Sequence, residues 1–262
     1  MGSSEVAHVD HHGFRIPRHL AWRTGRLDQF REVSDEHIDH LRRFAGLDDA
    51  THVVEIGCGV GRDAIPLTDI LPDHGTYDGI DIMRQSIEWA QQNISPRAPN
   101  FRFHHFDVAD AQHNPRGGSN MVEYSIPVED ESTDLIFLYS VFTHMFPADV
   151  AYYLDEFARI LKPSGRVLAS MFTMDRDLIP WLESVGGGGL RSLKFAHEVE
   201  DGFFHNDPEV VPGATAYSLT RFGGMVRQAS LAPERFVRGS WRKDRKFEVN
   251  GQDIIVLRKP AF

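Results

Sequence analysis

The chain has 262 residues, 41% hydrophobic and 25% charged, with 28 basic against 38 acidic side chains and a net charge of -10. That length fits one α/β domain with insertions and can bury a sizeable core, while the acidic balance disfavours a nucleic-acid backbone as partner. No run of about 18 apolar residues is present to span a membrane, the start lacks the charged-then-apolar order of a leader, and the single Cys58 excludes an internal disulfide, so a reducing cytoplasm is the expected setting.

Residues 1–30 are rich in His and Arg, with Phe14 and Trp22 among them, and on composition alone read as a partly ordered tail. Ser34 is placed to cap a helix that runs to about Phe44 and stops at Gly46, with Ile38, Leu41 and Phe44 on its core face. Val53 to Ile56 is a short apolar run suited to a strand buried on both faces. Gly57, Gly59 and Gly61 alternate after it, and a helix-like run from Arg62 to Leu71 follows. Glycine lets the backbone turn sharply and lets a ligand press against it; the start of the next helix favours a negative group. Cys58, between two of these glycines, reads as a small residue fitting a tight turn rather than as a nucleophile. Tyr77 to Ile82 is a second strand, and it carries Asp81 at its carboxyl end, twenty residues beyond Gly61. That is the spacing of a ribose-binding carboxylate in a doubly wound sheet.

Arg84 to Asn93 reads as a helix with Ile87 and Ala90 inward, and Phe101 to Asp107 as a third strand, Asp107 itself suiting a turn or cap. Residues 110–133, with Pro115, Gly117, Gly118, Asn120 and Pro127, form a long connection. Asp134 to Ser140 is a nearly all-apolar fourth strand, followed by the turn Phe142 to Pro147 and a helix from Ala148 to Leu161. Lys162-Pro163-Ser164-Gly165 breaks that helix before a fifth strand, Arg166 to Phe172. Residues 173–215 interrupt the alternation with Trp181, four glycines at 186–189 and a polar-aromatic stretch from His197 to His205. Tyr217 to Leu231 reads as a last helix, and Arg235 to Trp241 with Asp253 to Arg258 as an antiparallel closing pair at one edge.

A dinucleotide fingerprint would want a third glycine at position 62, where this chain has Arg, and a nicotinamide oxidoreductase is disfavoured on that ground. Glu55-x-Gly57-x-Gly59-x-Gly61 with Asp81 downstream instead resembles motif I of the class I S-adenosylmethionine (SAM) methyltransferases, and the resemblance covers roughly residues 50–172. It implies an α/β fold, a doubly wound seven-stranded Rossmann-like sheet with an inserted substrate cap, and SAM as cofactor. It further implies that the glycine turn of Gly57, Cys58, Gly59 and Gly61 passes under the methionine portion and that Asp81 holds both ribose hydroxyls, with Glu55 and Ile82 also among the cofactor-binding residues. Asp107 and Val108 would meet the adenine, with Tyr139 and Ser140 completing the cofactor contacts. The implied organisation is a lid over residues 1–30, a SAM-binding core over 31–172, a substrate-recognition insertion over 173–215 and the end of the core over 216–262. A homodimer is common among such enzymes.

Methyl transfer is a direct displacement, so the protein mainly aligns the reactants and excludes water. An alcohol is too weakly acidic to attack unaided and needs a base. His144, just beyond the fourth strand, is the candidate base, having an ordinary pKa near neutrality; the alternative is a histidine bonded to backbone to hold the turn. The Ser-Val-Phe-Thr-His turn and the polar-aromatic stretch resemble bacterial sugar O-methyltransferases of actinobacterial methylmannose-polysaccharide synthesis, which implies a sugar or oligosaccharide hydroxyl as acceptor. Trp181, His197, Glu198 and His205 are the candidate substrate contacts. His197, Glu198, Asp201, His205 and Asp207 have metal-ligand chemistry but no metal-binding motif, and a solvated polar lid explains them as well. Trp181, Phe203, Phe204 and Trp241 form either an aromatic platform or plain core. The rivals are a methyltransferase of a small aromatic or amine metabolite and a SAM-fold protein that binds without catalysis.

Overall fold

The computed structural model describes residues 7–109, 114, 117–118, 124–189, 192–207, 209–210, 213–244 and 246–261. Much of the 110–133 connection, Pro115 and Asn120 included, lies outside them. The chain divides into two compact units, residues 1–120 and 121–262.

In the first unit, β1 (His8–His11) and β2 (Phe14–Pro17) form an antiparallel hairpin, followed by α1 (Arg18–Thr24) and α2 (Phe30–Ala45). The hairpin and α1 are ordered structure in what composition reads as a tail. α2 begins four residues before Ser34, which is buried within it and caps nothing; Gly46, at φ 74°, ends it. β3 (His52–Ile56), β4 (Thr76–Asp81) and β5 (Phe101–His105) pair in parallel in that spatial order. Between β3 and β4, α3 covers only Ala64–Leu67, although Arg62 to Leu71 has helical periodicity. Pro66 has no N–H to give, and the amides of Thr68, Asp69 and Ile70 bond three residues back instead of four, to Ile65, Pro66 and Leu67. α4 (Arg84–Asn93) lies where its pattern puts it.

In the second unit, β6 (Thr133–Leu138) leads through a turn to α5 (Pro147–Ile160) and β7 (Leu161–Met171). β7 starts five residues before its sequence pattern, because Lys162-Pro163-Ser164-Gly165 is a bulge rather than a break. The register jumps from Thr133 opposite Leu161 to Leu135 opposite Arg166, with Ser164 at φ 69° absorbing the extra length. Then come α6 (Leu178–Ser184), β8 (His197–Glu200), β9 (Phe203–His205) and β10 (Thr215–Tyr217), the last three an antiparallel sheet. α7 is Leu219–Gln228, capped by Ser218, whose Oγ accepts from the Arg221 N–H at 3.1 Å. β11 (Ala232–Val237) and β12 (Asp253–Arg258) close the chain, and β12 is antiparallel to both β7 and β11.

The main sheet has seven strands in the order β11-β12-β7-β6-β3-β4-β5, a doubly wound Rossmann-like architecture. Its strands read as apolar runs because both faces are covered: Leu135 to Leu138, Val167 to Ala169 and Ile254 to Leu257 are at most 4% exposed. The 173–215 stretch has a small core of its own, where Met174, Leu182, Leu193, Phe195, Phe204 and Ala216 pack with Trp241. Beside it, Asp253 is fully buried and accepts from Thr173 Oγ1 at 2.7 Å, Trp241 Nε1 at 2.8 Å and the Gly239 N–H at 2.9 Å. Among the described residues, no helix is long and apolar enough to cross a membrane.

Candidate active site

In the first unit, the chemistry gathers where β3, β4 and β5 end. Gly57, at φ 77°, is exposed, and it begins the turn after β3. A methyl group built on Gly59 (φ 55°) would lie 2.6 Å from Thr24 Oγ1, and one on Gly61 (φ 82°) 2.6 Å from Ile94 Cδ1, so only glycine fits both places. The bend is thus backed by side chains and open at Gly57. Cys58 is 1% exposed and burial pushes its thiol pKa well up, which suits a space-filling residue and not a nucleophile.

Asp81 ends β4, 7% exposed, and each of its carboxylate oxygens accepts a backbone N–H: Oδ2 from Gly59 and Oδ1 from Met83, both at 2.7 Å. It therefore ties the glycine turn to the chain leaving β4. A strand-end carboxylate of this kind is chemically suited to accept from ribose hydroxyls. With an exposed glycine at the bend and this carboxylate at the strand end, the residues present fit a nucleoside cofactor. The dipole of the next helix does not contribute, since α3 is a single turn. Ile82 lies just beyond, its carbonyl 3.1 Å from His105 Nε2.

Glu55 is 5% exposed, with its carboxylate accepting from the Tyr77 hydroxyl. Burial pushes its pKa well above the usual carboxylate range, and Asp63 and Asp81 add to the rise. A carboxyl raised in the folded state stays protonated there while the unfolded chain ionises, so it subtracts stability as pH climbs past the unfolded value. Glu55→Gln should therefore unfold at a higher temperature than wild type, with an advantage that widens as pH rises from about 5. One such group changes stability by at most about 1.4 kcal/mol per pH unit, worth about 2–4 °C per kcal/mol in a chain of this size. Thermal unfolding across that range checks it, and a constant gap between the two proteins counts against it.

After β5, Asn114 donates to Asp107 Oδ1 at 3.1 Å and to the Val108 carbonyl at 2.9 Å, and the Gly118 N–H donates to the Asp107 carbonyl at 3.1 Å. The Asn114 bond holds the Asp107 carboxyl below its ordinary pKa. Asn114 carries no signal in the sequence, being one polar residue in a long loop.

The segment before α2 closes on the glycine turn from behind. Arg62 Nη1 donates to the Thr24 carbonyl at 3.3 Å, and the Arg62 carbonyl accepts from Ser34 Oγ at 3.0 Å and His11 Nε2 at 2.8 Å. Position 62 thus carries a staple where a dinucleotide site needs a glycine.

In the second unit, Tyr139 and Ser140 follow the end of β6. Tyr139 is half-buried with its ring 6.2 Å from that of Phe137; Ser140 is exposed at φ 60°. His144 sits in the turn after them, its Nδ1 2.7 Å from the Gly213 carbonyl. The same turn is held by Tyr217, whose hydroxyl donates to the Met145 carbonyl at 2.7 Å, and by Thr215, donating to the Phe142 carbonyl at 3.2 Å. Gly213, Thr215 and Tyr217 were not legible as partners of residue 144, about seventy positions away.

His197 and His205 are cross-strand partners on β8 and β9, the first exposed, the second 3% exposed with its Nε2 unpartnered among the described residues. Burial lowers the His205 pKa, so it stays neutral. Glu198 is tied to Arg176 by two bonds, of 2.5 and 3.0 Å. Trp181 is 42% exposed and anchored through Nε1 to the Arg242 carbonyl at 2.9 Å. Phe203, Phe204 and Trp241 are at most 2% exposed, which makes them core and leaves Trp181 alone as an accessible ring of that set. No group of three His, Cys, Asp or Glu among the described residues is arranged to hold a metal ion.

Residues 53–165 match a family model described as a methyltransferase domain. The chain is 29% identical over 175 residues to phthiotriol/phenolphthiotriol dimycocerosates methyltransferase 1 of Mycobacterium ulcerans, a match covering 64% of this chain and 56% of that one. It is 31% identical over 128 residues to the tRNA N(3)-cytidine methyltransferase METTL2B of Homo sapiens, covering 48% of this chain and 30% of that one. The chain thus spans about half or less of the length of these relatives. Among solved structures, PH0226 of Pyrococcus horikoshii aligns over 89% of this chain and 92% of its own, with a TM-score of 0.57 at 18% identity, a likeness of fold.

Proposed function

We propose, on the match of residues 53–165 to a methyltransferase domain, that the protein is a class I SAM-dependent methyltransferase that transfers a methyl group to a hydroxyl of a sugar or oligosaccharide, with His144 as the base. SAM supplies, when bound, a methyl carbon activated by the adjoining sulfonium. Asp81 would accept from the ribose hydroxyls, Gly57 would lie against the methionine portion, and Asp107 with Val108 would meet the adenine. Their placement at the carboxyl ends of β3, β4 and β5 supports that reading.

The observation that carries the hydroxyl acceptor is the contact of His144 with Gly213. A carbonyl can only accept, so Nδ1 carries the hydrogen and Nε2 of the neutral ring is the basic nitrogen. An imidazole held in one tautomer by a backbone carbonyl is the form a general base needs. Half-exposed Trp181 and exposed His197 offer a ring face and a donor to a polar acceptor. A nitrogen acceptor is the second reading, favoured by the tRNA-modifying relative; the net charge of -10 weighs against nucleic acid itself.

Isotope-labelled SAM, offered with a panel of methyl glycosides and of small amines, tests this by mass spectrometry. The expected result is transfer to one or more glycosides. Transfer to amines alone would replace the hydroxyl reading with the nitrogen one, and calorimetry showing no SAM binding would end both.

A further inference from the structure

Ser140 is a serine in backbone territory that suits glycine, φ 60°, and the surrounding bonds say what its side chain is left to do. Its N–H donates to Ser170 Oγ at 2.8 Å. Since that oxygen accepts there, the single Ser170 hydroxyl hydrogen goes to Gln252 Oε1, at 2.6 Å. The other end of the Gln252 amide is then its nitrogen, which donates to Ser140 Oγ at 2.8 Å. The three side chains thus form a directed ring that starts at the Ser140 amide and ends at the Ser140 oxygen. Thr143 Oγ1, donating to the Ser140 carbonyl at 2.8 Å, braces the same residue from the turn.

The ring consumes an acceptor position of the Ser140 oxygen and none of its donor capacity. Ser140 is exposed, and no described group is shown accepting from its hydroxyl. Gln252 comes from just before β12, 112 positions away in sequence, so the arrangement is built by the fold and not by the local turn. His144 lies on the turn that Ser140 begins, only four residues on. A base and an outward donor on one turn match a molecule carrying two neighbouring oxygens, such as the adjacent hydroxyls of a pyranoside.

We propose that Ser140 donates a hydrogen bond to the acceptor sugar's hydroxyl beside the one methylated, and that Gln252 and Ser170 are positioning residues that aim it. This rests on the hydroxyl-acceptor reading above. The test compares wild type with Ser140→Ala, Ser140→Gly and Gln252→Glu, using the methyl glycoside found in the screen and its analogue lacking the neighbouring hydroxyl. Glutamate at 252 keeps the size but accepts on both sides, so it turns the Ser140 hydrogen inward. Expected for Ser140→Ala and Gln252→Glu is a KM for the glycoside about tenfold higher, the worth of one hydrogen bond, whereas a Ser140 that serves the cofactor, as the family resemblance implies, would raise the SAM Kd instead. Ser140→Gly should raise KM alike while melting no lower than wild type, because glycine relieves the backbone. On the deoxy analogue, wild type and Ser140→Ala should have the same KM.

An unchanged glycoside KM in Ser140→Ala and Gln252→Glu would overturn the assignment, as would a loss that lies in the SAM Kd. Wild type that binds SAM but methylates no glycoside would overturn the hydroxyl-acceptor reading and this inference together.

Discussion

Asp81→Ala is expected to weaken SAM binding by about 100-fold or more, the largest effect on cofactor affinity of any single substitution in the first unit. The carboxylate accepts from Gly59 and Met83 at 2.7 Å each, and a hydrogen bond to a charged group contributes about 1.5–3 kcal/mol. Removing it takes away the proposed ribose acceptor and frees the glycine turn, and about 2.7 kcal/mol corresponds to 100-fold in Kd. Asp81→Asn should fall between the two, because an amide oxygen can still accept from one of the two N–H groups but carries no charge. Calorimetric titration with SAM, alongside thermal unfolding to register loosening of the turn, distinguishes lost affinity from lost fold. An Asp81→Ala protein that stays folded and binds SAM within threefold of wild type would end the assignment of this carboxylate to the ribose.

His144→Ala should leave the SAM Kd within about twofold and lower kcat on a hydroxyl acceptor by about 10²–10⁴, the usual contribution of a general base. His144→Gln separates the two roles open to this residue. Its amide can still reach a carbonyl and hold the turn, but it cannot take a proton, so both variants should be equally slow if His144 acts as a base. Recovery of activity in His144→Gln would mean that the ring only supports the turn beneath Gly213. An amine acceptor, which needs little deprotonation, would lose far less in either variant. Single-turnover measurement of the transfer step checks all three outcomes.

The parts of the fold that could be read from the sequence are those whose local pattern and final burial agree. β3, β6 and β12 are largely apolar runs because they are covered on both faces, and α4 matches its pattern residue for residue. The start of β7 was hidden because Pro163 and Gly165 signal a break, while the sheet accommodates them as a bulge beside Ser164. The hairpin of β1 and β2 and the sheet of β8 to β10 were hidden too. Their residues are polar or mixed, and they become strands by pairing with each other.

The candidate site divides in the same way. Gly57, Gly59, Gly61 and Asp81 stand out by spacing, since a turn and a strand fix their separation. Thr24 behind Gly59, Asn114 on Asp107, Gly213 on His144 and Gln252 on Ser140 gave no such signal. Each meets its partner through the folded chain, and a lone polar residue in a loop has no periodicity to betray it. Arg62 is the instructive middle case. Its size argues against a dinucleotide, yet its bond to Thr24 and its closeness to Phe30, 5.8 Å from guanidinium to ring, are visible only in three dimensions.

The place of β12 has a consequence for synthesis on the ribosome. It follows β7 and β11 in sequence but inserts between them, pairing Asp253 to Arg258 with Met171 to Arg166 on one side and with Val237 to Ala232 on the other. A nascent chain halted short of residue 253 therefore shows two bare strand edges side by side, the kind of surface that recruits chaperones or joins a neighbouring polypeptide. Of the seven strands, β11 must wait, tethered and unpaired, until β12 has been made.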